Sequence, residues 1–272
     1  MRDVFRGAEL ISAATTGPRT AGAIAAQCIA DGADLVIAAG GDGTINEVVE
    51  GMNGAAIPLA ILPGGTANVL ANELGLGSRI ELAARSILNS TPRRVSVGRL
   101  ENGHGTRHFL LMAGIGLDAH IIYNLNLPLK ARLGKVAYWV GGLSQFGRSL
   151  ESFEVSIDGR RRTCTFALIT KVRNYGGDFE IARAVSLLDE EFEVVLFEGN
   201  SLRYAKYLIG MLAGRISGMA GVSVFRAREI SIAAPERRVH LQIDGEYAGG
   251  LPAKIGVVTD ALTLLIPAGY PR

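Results

Sequence analysis

Residues 35–52 read LVIAAGGDGTINEVVEGM. Leu35–Ala39 is a short apolar run of buried-strand type. It stops at Gly40-Gly41-Asp42-Gly43, where three glycines in four positions permit a turn closed to residues carrying a Cβ. Thr44 then opens a helix. Ile45, Val48, Val49 and Met52 recur at i, i+3, i+4 and i+7 as one apolar face, Asn46, Glu47 and Glu50 take the wet face, and Gly51 and Gly54 weaken the end. Strand, glycine turn and helix in that order is how α/β proteins hold phosphate, because the turn's N–H groups and the helix N-terminus point at the anion. The plainer reading is a glycine-rich βα turn with a solvated Asp at its tip; the strand and helix on either side favour phosphate. A carboxylate in an anion-binding turn repels phosphate unless a cation sits between them, so Asp42 points to a Mg²⁺-nucleotide.

Residues 57–74 nearly repeat the arrangement: strand Leu59–Leu62, loop Pro63-Gly64-Gly65-Thr66, and helix Ala67–Leu74 ending at Gly75. A second glycine loop beside the first would give two edges of one phosphate cleft, with Thr66 and Asn68 aimed into it. Thr66 taken alone is equally a simple helix cap. Upstream, residues 1–7 read as the tail of a helix, Ala8–Ala14 as a weak strand, Thr15-Thr16-Gly17-Pro18 as a turn and Thr20–Ala30 as an Ala-rich helix. Ser78 caps one more helix, Arg79–Leu88.

The chain has 272 residues, 48% hydrophobic and 20% charged, with a formal charge of +2. That is globular, large enough for one large or two ordinary domains, and too balanced in charge to point to nucleic acid. Cys28 and Cys164 fit no metal or redox spacing and read as core thiols of a reducing cytoplasm. Apolar runs such as Phe109–Leu117 are about half the roughly 20 residues a membrane span needs. Met1–Gly7 does not read as a signal peptide, because no apolar core follows its charges.

Near residue 92 the β/α alternation gives way to strands: 94–100, 107–112, 153–157, 163–170, 192–197, 222–225, 229–233, 239–243, 254–258 and 262–266. Helical stretches interrupt at 117–124, 129–146 and 201–213. The expected division is therefore an α/β half over 1–93 and a mostly β half over 94–272. Three places in the second half can carry chemistry. Asp244-Gly245-Glu246 is either a hairpin turn with solvated acids or a positioned carboxylate that takes a proton from an attacking hydroxyl. Ser186–Glu191 (SLLDEE) is either a solvated acidic loop or a Mg²⁺ or Ca²⁺ site. Within 125–146, basic residues precede Ala137-Tyr138-Trp139-Val140, which reads as a helix packed on a sheet or as a face for an anionic membrane.

GGDGTINEVVEGM, ILPGGTANVLANELG, NYGGDFEIA (174–182) and IDGEYAGGLP (243–252), in this order, resemble the soluble bacterial diacylglycerol kinase-like lipid kinases, a family that includes the sphingosine and ceramide kinase catalytic domains. The resemblance runs from about Ala8 to Pro267. GGDGT alone is shared with NAD kinases and relatives of phosphofructokinase; its combination with the late DGE is more specific. The resemblance implies a three-layer α/β domain binding Mg-ATP, a β-sandwich-like second domain, and a lipid substrate entering between them. By motif match, Thr15, Gly40, Gly41, Asp42, Gly43, Thr44, Asn46 and Thr66 would hold nucleotide. Glu246 would be the general base, Asp244 would support it, and Asp42 would help hold the catalytic Mg²⁺. The 186–191 loop would be a structural Mg²⁺ site, with the Asp189 side chain and the carbonyls of Ser186 and Glu191 as ligands.

The sequence departs from that family in three places. The family usually has a glycine where Glu190 stands. It begins with a strand and an NPxSG-type loop, whereas this sequence begins at what reads as the end of the first helix, about 25–30 residues later. After Arg93-Arg94 the family commonly carries an Asp of the catalytic metal network; here Ser96 stands, and a hydroxyl supplies no negative charge. The leading expectation is an ATP-dependent kinase acting on a lipid hydroxyl, cytoplasmic with transient membrane contact. The rivals are a non-catalytic lipid- or nucleotide-binding homologue, favoured by the first-strand departure and Ser96, and an NAD kinase-like enzyme. A dinucleotide oxidoreductase is disfavoured because GxGxxG spacing is lacking. The sequence names neither the lipid nor the oligomeric state, a homodimer included.

Overall fold

A computed structural model describes residues 4–52, 54–116, 150–175, 179–199, 201–212, 215–216, 218–233 and 239–271. The helices expected at 117–124 and 129–146, with the membrane-facing reading of 125–146, lie outside the described residues. In chain order the elements are α1 (Ala21–Ala30), β1 (Val36–Gly40), α2 (Asp42–Met52), β2 (Pro58–Pro63), α3 (Val69–Glu73), α4 (Ile80–Ile87), β3 (Ser90–Asn102), β4 (Gly105–Phe109), β5 (Met112–Gly116), β6 (Phe153–Ile157), β7 (Arg160–Cys164), β8 (Phe166–Thr170), β9 (Asn174–Tyr175), β10 (Phe179–Glu180), β11 (Phe192–Phe197), α5 (Ser201–Leu212), β12 (Val222–Ala227), β13 (Glu229–Ile232), β14 (His240–Ile243), β15 (Glu246–Gly250) and β16 (Ala253–Pro267).

β1 and β2 run parallel in register, from Val36 opposite Leu59 to Gly40 opposite Pro63, so the two glycine loops leave the sheet side by side. α2 buries Ile45, Val48, Val49 and Met52, the face that its 3.6-residue period marks. It crosses α1 closely. A Cβ on Gly22 would stand 2.6 Å from the Glu47 carbonyl oxygen, and one on Gly51 would run into Gly22, so Gly51 is a packing residue and not a helix-end signal. The weak strand expected at 8–14 is absent; residues 9–16 are irregular and mostly exposed.

The described strands form two large sheets and the short β9–β10 pair. One has eight strands in the order β1-β2-β16-β13-β6-β7, with β3 on β16 and β4 on β3; the other is a six-stranded antiparallel sheet, β12-β11-β8-β5-β14-β15. Between them pack Leu100, Phe109, Ile115, Val155, Ile169, Phe192, Val194, Leu241 and Ile255. β8 and β11 are buried at every position. Their odd and even residues feed two different cores, which is why FALIT and FEVVLF lack the alternation of a half-wet strand.

Two expectations change. The strands expected at 254–258 and 262–266 are one strand, β16, with an irregularity between Val258 and Leu262. Its first part pairs with β13 and its last part runs parallel to β2, while β3 accompanies it from Ser90 to Asn102. The division expected at residue 93 thus falls inside β3, and the last strand returns to the sheet of the first half. The single strand expected at 107–112 is broken: β4 ends at Phe109 and β5 begins at Met112 in the other sheet. The reason lies at Asp244.

Candidate active site

The two glycine loops touch backbone to backbone. Gly64 N–H donates to the Gly40 carbonyl at 2.9 Å. A Cβ on Gly65 would stand 2.5 Å from Gly41 Cα, so the second loop needs glycine at the contact, and one on Gly41 would press on Gly65 Cα at 3.2 Å. Asp42 spans the junction: its Oδ2 accepts Val69 N–H at 3.0 Å and its Oδ1 accepts Leu70 N–H at 3.2 Å. The Asp at the tip of the first loop therefore caps α3. Asn68, in the left-handed region at φ 47°, turns back on its own loop, accepting Gly65 N–H at 2.7 Å and donating to the Gly65 carbonyl at 2.9 Å. The second loop therefore lies against the first, and the Val69 and Leu70 N–H groups that lead α3 are spent on Asp42.

Around the N-terminus of α2 the side chains sort unexpectedly. Asn46 is buried, not on the wet face, and its Oδ1 has no hydrogen-bond partner among the described residues. Glu47 is used structurally: its carboxylate accepts Arg19 N–H at 2.8 Å and Ala21 N–H at 3.0 Å, capping α1. Thr66 is exposed in the second loop, and Thr15 is exposed on the irregular segment before α1.

The β14–β15 hairpin brings its acids to this place. Asp244 and Gly245 both have positive φ, 47° and 82°, as a two-residue turn of this hand requires. The Asp244 carboxylate is buried and accepts three backbone N–H groups: Leu110 at 2.8 Å, Leu111 at 3.0 Å and Met112 at 2.9 Å. Turning those N–H groups inward breaks the strand between β4 and β5. Burial pushes the Asp244 carboxyl up to about 7; the three N–H donors pull it down, and the Asp42 charge adds to the rise.

Glu246 opens β15. Its Oε1 lies 3.3 Å from where a Cβ on Gly43 would be, so its carboxylate stands over the glycine turn, and glycine at 43 leaves it room. Its Oε2 accepts Arg107 Nη2 at 3.2 Å, and Arg107 Nη1 donates to the Tyr247 carbonyl at 3.2 Å. The fold thus joins Gly40–Thr44, Asp42, Asp244 and Glu246. Arg107 was not expected, and an arginine on a half-wet strand gives no signal by itself. Among the described residues no three His, Cys, Asp or Glu side chains come together as a ready metal site. A Mg²⁺ at the glycine loop would take most of its ligands from phosphate and water, which suits that ion.

The 186–191 loop lies in a separate cluster. Asp189 Oδ2 accepts Ser186 N–H at 3.0 Å and Arg226 Nη2 at 2.8 Å; Glu191 Oε2 accepts Arg226 Nε at 3.2 Å. The Asp189 carbonyl accepts the Ser96 hydroxyl at 2.7 Å and the Lys171 ammonium. Lys171 Nζ also donates to Ser96 Oγ at 2.6 Å, and burial lowers the Lys171 pKa to about 8. Where the resemblance leads to a carboxylate, this chain has a serine with an ammonium beside it. Lys171 N–H donates to the Leu111 carbonyl at 2.8 Å, and Leu111 N–H donates to Asp244, so one residue joins the two clusters. A lysine directly after the apolar FALIT strand was the overlooked signal.

Comparison with known proteins matches both parts of the chain. Residues 2–100 match the diacylglycerol kinase catalytic domain, and residues 112–266 match the YegS C-terminal NAD kinase β-sandwich-like domain. The diacylglycerol kinase of Bacillus subtilis is 32% identical over 231 residues, covering 81% of this chain and 74% of that protein. That of Mycobacterium tuberculosis is 26% identical over 269 residues, covering 96% and 86%. A solved diacylglycerol kinase structure from Bacillus anthracis superposes with a TM-score of 0.74 at 26% identity, covering 94% of this chain and 85% of the other. Both halves of the chain and their order are matched, and the chain belongs to the diacylglycerol kinase family of enzymes.

Proposed function

We propose that this chain transfers the γ-phosphate of ATP to the hydroxyl of a lipid, diacylglycerol or a close relative, with Glu246 as the proton acceptor. The observation that carries this reading is the Glu246 carboxylate held by Arg107 over Gly43, at the N-terminus of α2, where the first N–H groups of a helix lack intrahelical acceptors. In the reaction the alcohol oxygen bonds to the γ-phosphorus, the bond to the ADP oxygen breaks, and the hydroxyl proton passes to Glu246. Backbone N–H groups of Gly40–Thr44 hold phosphate oxygens, and Thr15 and Thr66 flank the nucleotide. Asp244 acts as a positioning residue, because its three N–H bonds fix the turn that carries Glu246. The residues fit a Mg²⁺-nucleotide: Asp42 keeps lone pairs beyond the two N–H bonds it accepts, and the buried Asn46 Oδ1 is an acceptor still open to a donor. When bound, Mg²⁺ would neutralise charge on the phosphate oxygens and the departing ADP.

In this reading the first half holds nucleotide and the second half holds lipid, in the cytoplasm and against a membrane surface. Among the described residues no helix is long and apolar enough to cross a membrane. The ammonium of Lys171 beside Ser96, where a carboxylate of the metal network is expected, favours one alternative: a homologue that binds lipid or nucleotide without transfer. Phosphate transfer from Mg-ATP to a panel of lipids in mixed micelles, with NAD as a parallel acceptor, separates these readings. Glu246→Ala should cut lipid phosphorylation by about 10²–10⁴-fold while the protein stays folded. Lipid binding without transfer by the folded parent would establish the alternative, and phosphorylated NAD would replace both.

A further inference from the structure

We propose that the 186–191 loop is held by two of the protein's own cations, Arg226 and Lys171, and takes no divalent metal. Two of the three ligands that the family resemblance implies for this loop, the Ser186 carbonyl and the Asp189 carboxylate, are already engaged. The Ser186 carbonyl accepts Asp189 N–H at 3.0 Å, and Asp189 Oδ2 accepts both Ser186 N–H and the Arg226 guanidinium. Arg226 forks across the loop: Nη2 to Asp189 at 2.8 Å, Nε to Glu191 at 3.2 Å, and Nη1 to the Ala184 carbonyl. A guanidinium is permanently charged and planar and suits several fixed oxygens at once. From the buried side, Lys171 Nζ donates to the Asp189 carbonyl and to Ser96 Oγ.

The charge is closed as well. Glu190 pairs with Arg228 at 2.7 Å and Arg226 pairs with both Asp189 and Glu191, while Lys171 lies on the Asp189 carbonyl. A divalent ion would add two uncompensated charges within reach of a guanidinium on the same carboxylate. Mg²⁺ in particular demands a near-octahedral shell of oxygens, and here Asp189 Oδ2 already carries a guanidinium and a backbone N–H. Ser96 fits the exchange: its hydroxyl accepts from the ammonium and donates to the same carbonyl, which a carboxylate could not do. The proposal stands independently of the lipid and of the kinase reading.

Thermal unfolding of the full chain without nucleotide tests it, in chelator and in millimolar MgCl₂ or CaCl₂. The parent should unfold at the same temperature in all three, or with a metal-dependent rise that Asp189→Asn leaves intact and that therefore arises elsewhere. Arg226→Gln should lower the midpoint by about 3–6 °C in chelator. Should that variant not fold, Arg226→Lys, which keeps the charge and breaks the fork, should lower it by a smaller amount. A rise of several degrees with Mg²⁺ or Ca²⁺ that vanishes in Asp189→Asn would overturn the proposal. So would an Arg226→Gln protein whose midpoint in chelator is that of the parent.

Discussion

Three backbone N–H groups, from Leu110, Leu111 and Met112, meet the Asp244 carboxylate at 2.8, 3.0 and 2.9 Å, yet its carboxyl is pushed from the ordinary 3.8 up to about 7. Burial is the largest cause, and the Asp42 charge adds to it. The sign of the linkage follows. Between about pH 4 and pH 7 the native state holds a proton that the unfolded chain has lost, so stability falls as pH rises through that window. The contribution is fully present below the unfolded pKa and gone above about 7. Unfolding free energy measured from pH 5 to pH 8.5 should fall more steeply with pH in the parent than in Asp244→Asn, which cannot take up the proton. Parallel slopes would show that Asp244 stays ionised throughout. The Asp-Gly turn was legible from the sequence because a two-residue hairpin has a local signature. Its burial was not, because the three donors come from more than 130 residues away.

At the scale of elements, α1 and α2 cross where Gly22 meets Gly51. Helix propensity alone says that Gly51→Ala should stabilise the protein by about 1 kcal/mol. The approach to Gly22 says the reverse, since a Cβ at 51 has no room beside that backbone and the helices must part. The expected outcome is a net loss of about 1–2 kcal/mol, read as a lower denaturant midpoint with an unchanged slope. A gain in stability would mean that the two helices can separate at no cost. The apolar face of α2 was legible because its period is written in eleven consecutive residues. The crossing was hidden, because a glycine that ends a helix and one that admits a neighbour look alike in sequence.

At the scale of the molecule the two halves are sewn together. β3 and β16 run through both. Glu73 of α3, fully enclosed, accepts Arg173 N–H at 2.9 Å, Arg173 Nε at 3.2 Å and the Tyr270 hydroxyl at 2.8 Å. Tyr270 in turn accepts Leu187 N–H at 2.9 Å, so the acidic loop joins the same network. Calorimetry should therefore show one cooperative transition for the chain, and two resolved transitions would contradict this coupling. Glu73→Ala, which strands Arg173 and Tyr270, should cost about 3 kcal/mol, whereas Tyr270→Phe should cost about 1–2 kcal/mol.

What the sequence determined by itself is what neighbouring residues encode. The strand-then-helix order around the first glycines, the apolar face of α2 and the Asp-Gly hairpin are each written within a few residues, because hydrophobic period and hairpin-turn chemistry are local properties; the glycines of the two loops have negative φ and answer instead to the close approach of their neighbours. Motif order carried the family. Only the tertiary structure decided which polar groups are spent on the protein and which remain for chemistry. Asp42 caps a helix 27 residues away, Arg107 grips Glu246 across 139 residues, and Lys171 reaches Ser96 across 75. A buried charge takes whatever partner the fold brings to it, and a single sequence records the partners without recording the meeting.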